Sequence, residues 1–203
     1  MRLFIAIDLP DSVRAALARE QACLRAACMG SADIRWTRPE GVHLTLKFLG
    51  EVAAARLQEI INALREIGFF DPFEIGVRGF GFFPSTRRPR VFWVGLDAPP
   101  ALGELVKKIR AAMEALGFPP ENRPFQPHLT LARFESQHAQ PALEAAVHSG
   151  EAGFGRFIVS GFFLFESKLR PGGAEYSKRA RFPSFGSGAD PNSEPQGPED
   201  SAP

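Results

Sequence analysis

The chain has 203 residues, enough for one domain with a sizeable core or for two small lobes. Apolar residues make up 44%, ordinary for a globular protein, and the formal net charge of +1 excludes coating of nucleic acid by bulk electrostatics while leaving a local basic patch open. No run approaches about eighteen consecutive apolar residues, so no membrane-spanning helix is expected.

The opening "MRLFIAIDLPDSV" reads as a first strand rather than a signal peptide. Its apolar run is short and alternating, is broken by Asp8, and lacks a small-residue cleavage site. Asp11 or Ser12 then opens a helix over about 11–28, with Val13, Leu17, Leu24 and Cys28 on one stripe. Cys23 and Cys28 have neither redox nor metal-pair spacing and read as partly buried free thiols, which with the absence of a leader favours a cytoplasmic location. "VHLTLKFLG" at 42–50 is the next strand. A helix over about 53–67 follows, carrying Leu57, Ile60, Ile61, Leu64 and Ile67 and closed by Gly68. A Phe- and Gly-rich strand, "FEIGVRGFGFF", spans 73–83, and "STRRPR" at 85–90 is a linker or a basic rim offering Arg87, Arg88 or Arg90.

The same order then begins again. "RVFWVGLDAPP" at 90–100 matches "RLFIAIDLP" at 2–10, and a helix over about 100–116 presents Leu102, Val106, Ile109, Met113 and Leu116 before Gly117 and two prolines stop it. "PHLTLARFE" at 127–135 repeats the His-Leu-Thr-Leu strand, a short helix runs from Pro141 to about His148, and "GRFIVSGFFLF" at 155–165 resembles 73–83. Residues 183–203 lack apolar content and are rich in Pro, Gly, Ser and acids, so a disordered tail is expected. The expected fold is α+β. One domain over 1–182 contains two pseudo-symmetric lobes, about 1–86 and 90–182. Each lobe is an antiparallel sheet with helices on its outer face, and the two flank a central cleft.

Strand alternation sorts the repeated tetrapeptide into two faces. Leu44, Leu46 and Phe48 share one, His43, Thr45 and Lys47 the other; Leu129 and Leu131 oppose His128 and Thr130. The leucine faces are core, and a pseudo-twofold brings the two His/Thr faces together across the cleft. Two imidazoles supply one general base and one general acid near neutrality, and two threonine hydroxyls donate to phosphate oxygens. In-line cleavage of a phosphodiester needs that set and no metal. A zinc site on His43 and His128 lacks a third ligand. His138 and His148 read as solvated, and neither is given a role.

The opening strand, "HLTLKFLG", "FPSTRRPRVFWVGL" and "PHLTLARF" together resemble the RNA 2′,3′-cyclic phosphodiesterase (2′-5′ RNA ligase-like) branch of the two-histidine phosphoesterase superfamily, over about residues 1–182. The resemblance implies metal-independent, cofactor-free hydrolysis of an RNA 2′,3′-cyclic phosphate, or a small nucleoside cyclic phosphate, to a 2′-phosphomonoester. It implies His43 as proton donor to the 3′ oxygen, His128 as the base that activates water, and Thr45 and Thr130 as phosphate ligands. Spacing alone does not say which histidine is the acid. Arg133 falls on the leucine side by strict alternation, but it lies near the strand end, where register loosens, and is offered as a phosphate contact. Lys47 is placed by alternation on the His43 face. The Phe-rich stretches line the cleft to stack a base or belong to the core, with at least one of Phe80, Phe82 and Phe83 facing inward. Alternatives are another cyclic or 2′-5′-linked phosphate, reversible 2′-5′ ligation, or a non-catalytic nucleotide- or RNA-binding module. A monomer without an obligate protein partner or a membrane is expected.

Overall fold

The computed structural model describes residues 1–28, 33–135, 141–149, 152–170 and 173–183. His138 and the expected tail beyond residue 183 lie outside the described residues. The strands are β1 (Arg2–Ile7), β2 (Ile34–Trp36), β3 (Leu44–Glu51), β4 (Phe73–Phe83), β5 (Val91–Asp97), β6 (His128–Phe134), β7 (Gly153–Val159), β8 (Phe162–Arg170) and β9 (Gly173–Phe182). The helices are α1 (Asp11–Ala27), α2 (Leu57–Arg65), α3 (Pro100–Ala115) and α4 (Pro141–Ser149).

Each helix forms where the apolar stripe recurs. Along α1, Val13, Leu17, Leu24 and the following Cys28 are buried, while Cys23 is exposed, and both thiols are free. Among the described residues no side chain caps the N-terminus of α1; Pro10 stands at its N-cap and Asp11 sits in its first turn, where an acidic group suits the helix dipole. A separate 3₁₀ turn at Ala54–Arg56 precedes α2, so the second helix starts later than its apolar pattern suggests. Gly68 and Gly117 follow α2 and α3 with φ of +72° and +82°, the left-handed conformation that ends a helix at little cost.

All strands belong to one antiparallel sheet of order β7-β4-β5-β6-β3-β1-β8-β9, with β2 pairing β6 off that path. Its two halves join between β3 and β6, where Leu44 faces Leu129. From this junction the order reads alike in both directions. β3 and β6 carry the two His-Leu-Thr-Leu segments, β1 and β5 the paired opening motifs, and β8 and β4 the Phe-rich segments. The sequence repeat therefore becomes a pseudo-twofold. The Phe-rich strands are exchanged across it: β4, from the first repeat, flanks β5, and β8, from the second, flanks β1.

One face of this curved sheet packs on the helices. Ile5, Leu44, Leu129, Ile60, Ile109 and Met113 are completely buried there, each worth about 1.5–3 kcal/mol of apolar transfer. Buried Gln21 of α1 donates from Nε2 to the carbonyls of Thr37 (2.7 Å) and Leu131 (2.9 Å), tying the helix to β6 and to the residue that follows its partner strand β2. The other face is left for the cleft.

Candidate active site

The two tetrapeptides carry the same irregularity. Along β3, Thr45 pairs with Ala6 and Lys47 with Ile5, and the shift leaves Leu46 as an extra residue. Along β6, Thr130 pairs with Trp93 and Ala132 with Phe92, leaving Leu131 extra. A β-bulge of this kind reverses the alternation beyond it. His43 with Thr45, and His128 with Thr130, keep the face expected from the sequence. The residues after each bulge exchange faces.

Lys47 is the clearest correction. It is 1% exposed and donates from Nζ to the carbonyl of Pro119 at 3.0 Å, so it does not share the His43 face. Phe48 turns out of the core instead; it is 62% exposed and lines the cleft. The equivalent turn after Leu131 brings Arg133 to the cleft and puts Phe134 in the core.

His43, Thr45, His128, Thr130 and Arg133 all line one cavity of about 540 Å³. Of the Phe-rich stretch, Phe80 and Phe82 are core, while Phe83 meets the His128 ring edge-on at 4.8 Å. Arg87, Arg88 and Arg90 do not line this cavity. His148 is exposed, with Nδ1 at 2.7 Å from the Glu144 carbonyl. Sequence reasoning missed Phe4, Trp93 and Tyr176. Phe4 stacks on His43 at 4.6 Å, Tyr176 meets that ring edge-on at 5.1 Å, and Trp93 packs against Phe83 at 5.0 Å. Alternation from the histidines predicts only their own strands; these aromatics come from neighbouring ones.

Both imidazoles are tethered alike. Nδ1 of His43 lies 2.8 Å from the Gly41 carbonyl, and Nδ1 of His128 lies 2.7 Å from the Gln126 carbonyl. A carbonyl only accepts, so each Nδ1 carries the hydrogen and each neutral ring keeps the Nε2 lone pair for proton exchange. Burial pushes the His43 ring down to about 4, against the upward pull of the Gly41 hydrogen bond and the Asp8 charge. Burial also lowers His128, and the Arg133 charge adds to that. Each ring is neutral at pH 7 in the free protein.

A family model for LigT-like phosphoesterases matches the chain twice, over residues 7–93 and 94–176. The chain belongs to the LigT-like phosphoesterase family. The break between the two matches falls within β5, at the start of the second repeat. The RNA 2′,3′-cyclic phosphodiesterase of Methanothermobacter thermautotrophicus is 34% identical over 179 residues, covering 87% of this chain and 95% of that one. The protein of the same name from Thermus thermophilus is 33% identical over 189 residues, covering 90% and 89%. A crystal structure of a T. thermophilus protein superposes with a TM-score of 0.73 at 33% identity, covering 90% and 97% of the two chains. The crystal structure of E. coli LigT complexed with 3′-AMP superposes with a TM-score of 0.71 at 28% identity, covering 89% and 96%. In this LigT-like phosphoesterase the family repeat and the paired His-x-Thr strands are one feature, seen first in sequence and then as the two walls of a single cavity.

Proposed function

We propose that the protein hydrolyses RNA 2′,3′-cyclic phosphate termini to 2′-phosphomonoesters by metal-independent acid/base catalysis. The observation that carries this reading is the pair of Nδ1-tethered histidines, each two residues from a threonine, lining one cavity. The names of the relatives and the 3′-AMP bound by E. coli LigT support the substrate class. The metal-free route is supported by the donor set itself: two imidazoles can exchange both protons, and two threonine hydroxyls with Arg133 can meet the phosphate charge.

His128 Nε2 takes a proton from water as the water oxygen attacks phosphorus. The phosphorus–O3′ bond breaks as His43 gives its Nε2 proton to O3′, leaving a 3′-hydroxyl and a 2′-phosphate. Thr45 and Thr130 donate to the non-bridging oxygens, and Arg133 adds a positive charge as charge builds on them. The order of acid and base follows the family resemblance. The phosphate anion itself readies the acid: a negative charge beside His43 raises the ring from its low free value. The departing O3′ belongs to the terminal ribose, so the terminal nucleoside lies on the His43 side, where exposed Phe48 offers a stacking surface.

The test is product analysis of an oligoribonucleotide ending in a 2′,3′-cyclic phosphate, incubated with the protein in chelator. A 2′-phosphate product supports the proposal. Binding without turnover makes the cleft a binding site, and activity lost to chelator and restored by a divalent ion makes the reaction metal-dependent.

A further inference from the structure

Asp8 follows β1 and is not among the residues lining the histidine cavity, yet two chains of contact lead from its carboxylate to His43. The first runs through Arg14 of α1. Its Nη2 donates to Asp8 Oδ1 at 2.6 Å and to the Leu9 carbonyl at 3.1 Å, and its Nη1 donates to the carbonyls of Pro39 (2.8 Å) and Val42 (3.2 Å). These last two carbonyls flank Gly41, whose own carbonyl accepts from His43 Nδ1. One guanidinium thus fixes the turn that fixes the ring, a task its planar fork suits and a lysine does not.

The second chain runs through β9. Lys178 Nζ lies 2.6 Å from Asp8 Oδ2 and 4.4 Å from the centre of the Phe163 ring. Two residues before Lys178, Tyr176 meets His43 edge-on and also covers Gly41 so closely that a Cβ there would stand 3.1 Å from its Cε2. The carboxylate is itself aimed by the Leu9 N–H, which donates to Oδ1 at 2.9 Å. Burial raises the Asp8 carboxyl, but the hydrogen bonds and charges of Lys178 and Arg14 outweigh it and hold the group below its usual range. The repeat supplies a contrast. Asp97 ends the matching motif, and it pairs with Arg78 at 3.2 Å in an exposed surface bridge.

We infer that Asp8, Arg14 and Lys178 form a positioning unit for His43, holding its ring between the Gly41 carbonyl and Tyr176. The inference rests on the reading of His43 as the catalytic acid. None of the three side chains reaches the reacting atoms; all act through the ring.

The test combines steady-state kinetics with NMR titration of the His43 ring in the full chain. The charged groups acting on that ring are Asp8, Arg14 and Arg133, with Tyr176 packed against it. Asp8→Asn removes a negative neighbour, and Arg14→Met frees the turn whose Gly41 carbonyl pulls the ring upward, so in both variants the ring should titrate at lower pH. Both should lower kcat about tenfold or more with KM within about twofold, as loss of an outer hydrogen-bond partner does elsewhere. Asp97→Asn should alter neither quantity. A downward shift is not the mark of general loosening, which would relieve burial and raise the ring. Unchanged kcat with an unmoved ring in Asp8→Asn overturns the inference. If wild type turns over no cyclic phosphate, the functional reading fails, and faster solvent exchange of the His43 Nδ1 hydrogen in Asp8→Asn, seen in the same spectra, still decides whether the unit exists. If Asp8→Asn does not fold, Lys178→Met decides instead. It cuts only the β9 chain at a half-exposed side chain, and it should lower kcat about threefold or more; unchanged kcat overturns the inference.

Discussion

His43 and His128 share a backbone tether and differ in what surrounds the ring. Phe4 and Tyr176 enclose His43, which is the more strongly depressed of the two, whereas His128 meets Phe83 through an edge. Holding His43 neutral has a consequence for stability. The unfolded ring takes up a proton below about pH 6.5, while the folded ring resists until about 4. The folded state therefore loses stability as pH falls through that window, by about 2–3 kcal/mol at its lower end. Denaturant unfolding of wild type and His43→Gln at pH 7 and pH 4 should show this extra loss in wild type alone; equal losses would contradict the assigned burial. Lys47 gives a second prediction. Its ammonium is buried against one carbonyl, so Lys47→Met should stabilise the fold by about 1 kcal/mol and leave kcat/KM unchanged. A large loss of activity would return Lys47 to the cleft.

At the scale of the strand, alternation carried the reading as far as the threonines and no further. The repeat, the His/Thr faces and the helix stripes were legible because period and composition encode them directly. The bulges at Leu46 and Leu131 were not, since the extra residue in each is an ordinary leucine that alternation already assigns to the core. Lys47, Phe48 and Arg133 were misplaced or left open for that one reason. The aromatic surroundings were hidden for another: they depend on which strands become neighbours. Gly81 shows such a dependence. It faces Trp93 across the β4–β5 pair, and a Cβ at Gly81 would lie 2.1 Å from Trp93 Cζ2. Gly81→Ala should displace the indole, cost about 1–3 kcal/mol, and lower kcat/KM through the Phe83 contact to His128. Thermal unfolding, indole fluorescence and kinetics on one sample check this, and an unperturbed variant would contradict it.

For the molecule as a whole, exchange of β4 and β8 makes each half of the sheet depend on both repeats. The cavity lies where the halves meet, with one histidine contributed by each. Residues 1–88 and 89–183 expressed separately should each lack a cooperative unfolding transition, and together should regain one along with activity. A stable, folded single half would contradict the exchanged arrangement. The same junction sets the pH response. With each free ring below its ordinary 6.5, kcat/KM for a cyclic phosphate should peak on the acidic side of that value.

The most direct test is the pH profile of kcat/KM for wild type, His43→Ala and His128→Ala on an oligoribonucleotide ending in a 2′,3′-cyclic phosphate. Wild type should give a bell, and each variant should lose about 10²–10⁴-fold. His43→Ala should flatten the descending alkaline limb, because the acid is gone, and His128→Ala should flatten the ascending acidic limb, because the base is gone. Interchanged limbs would reverse the assigned roles. Two variants that keep wild-type rates and a full bell would contradict the acid/base pair itself.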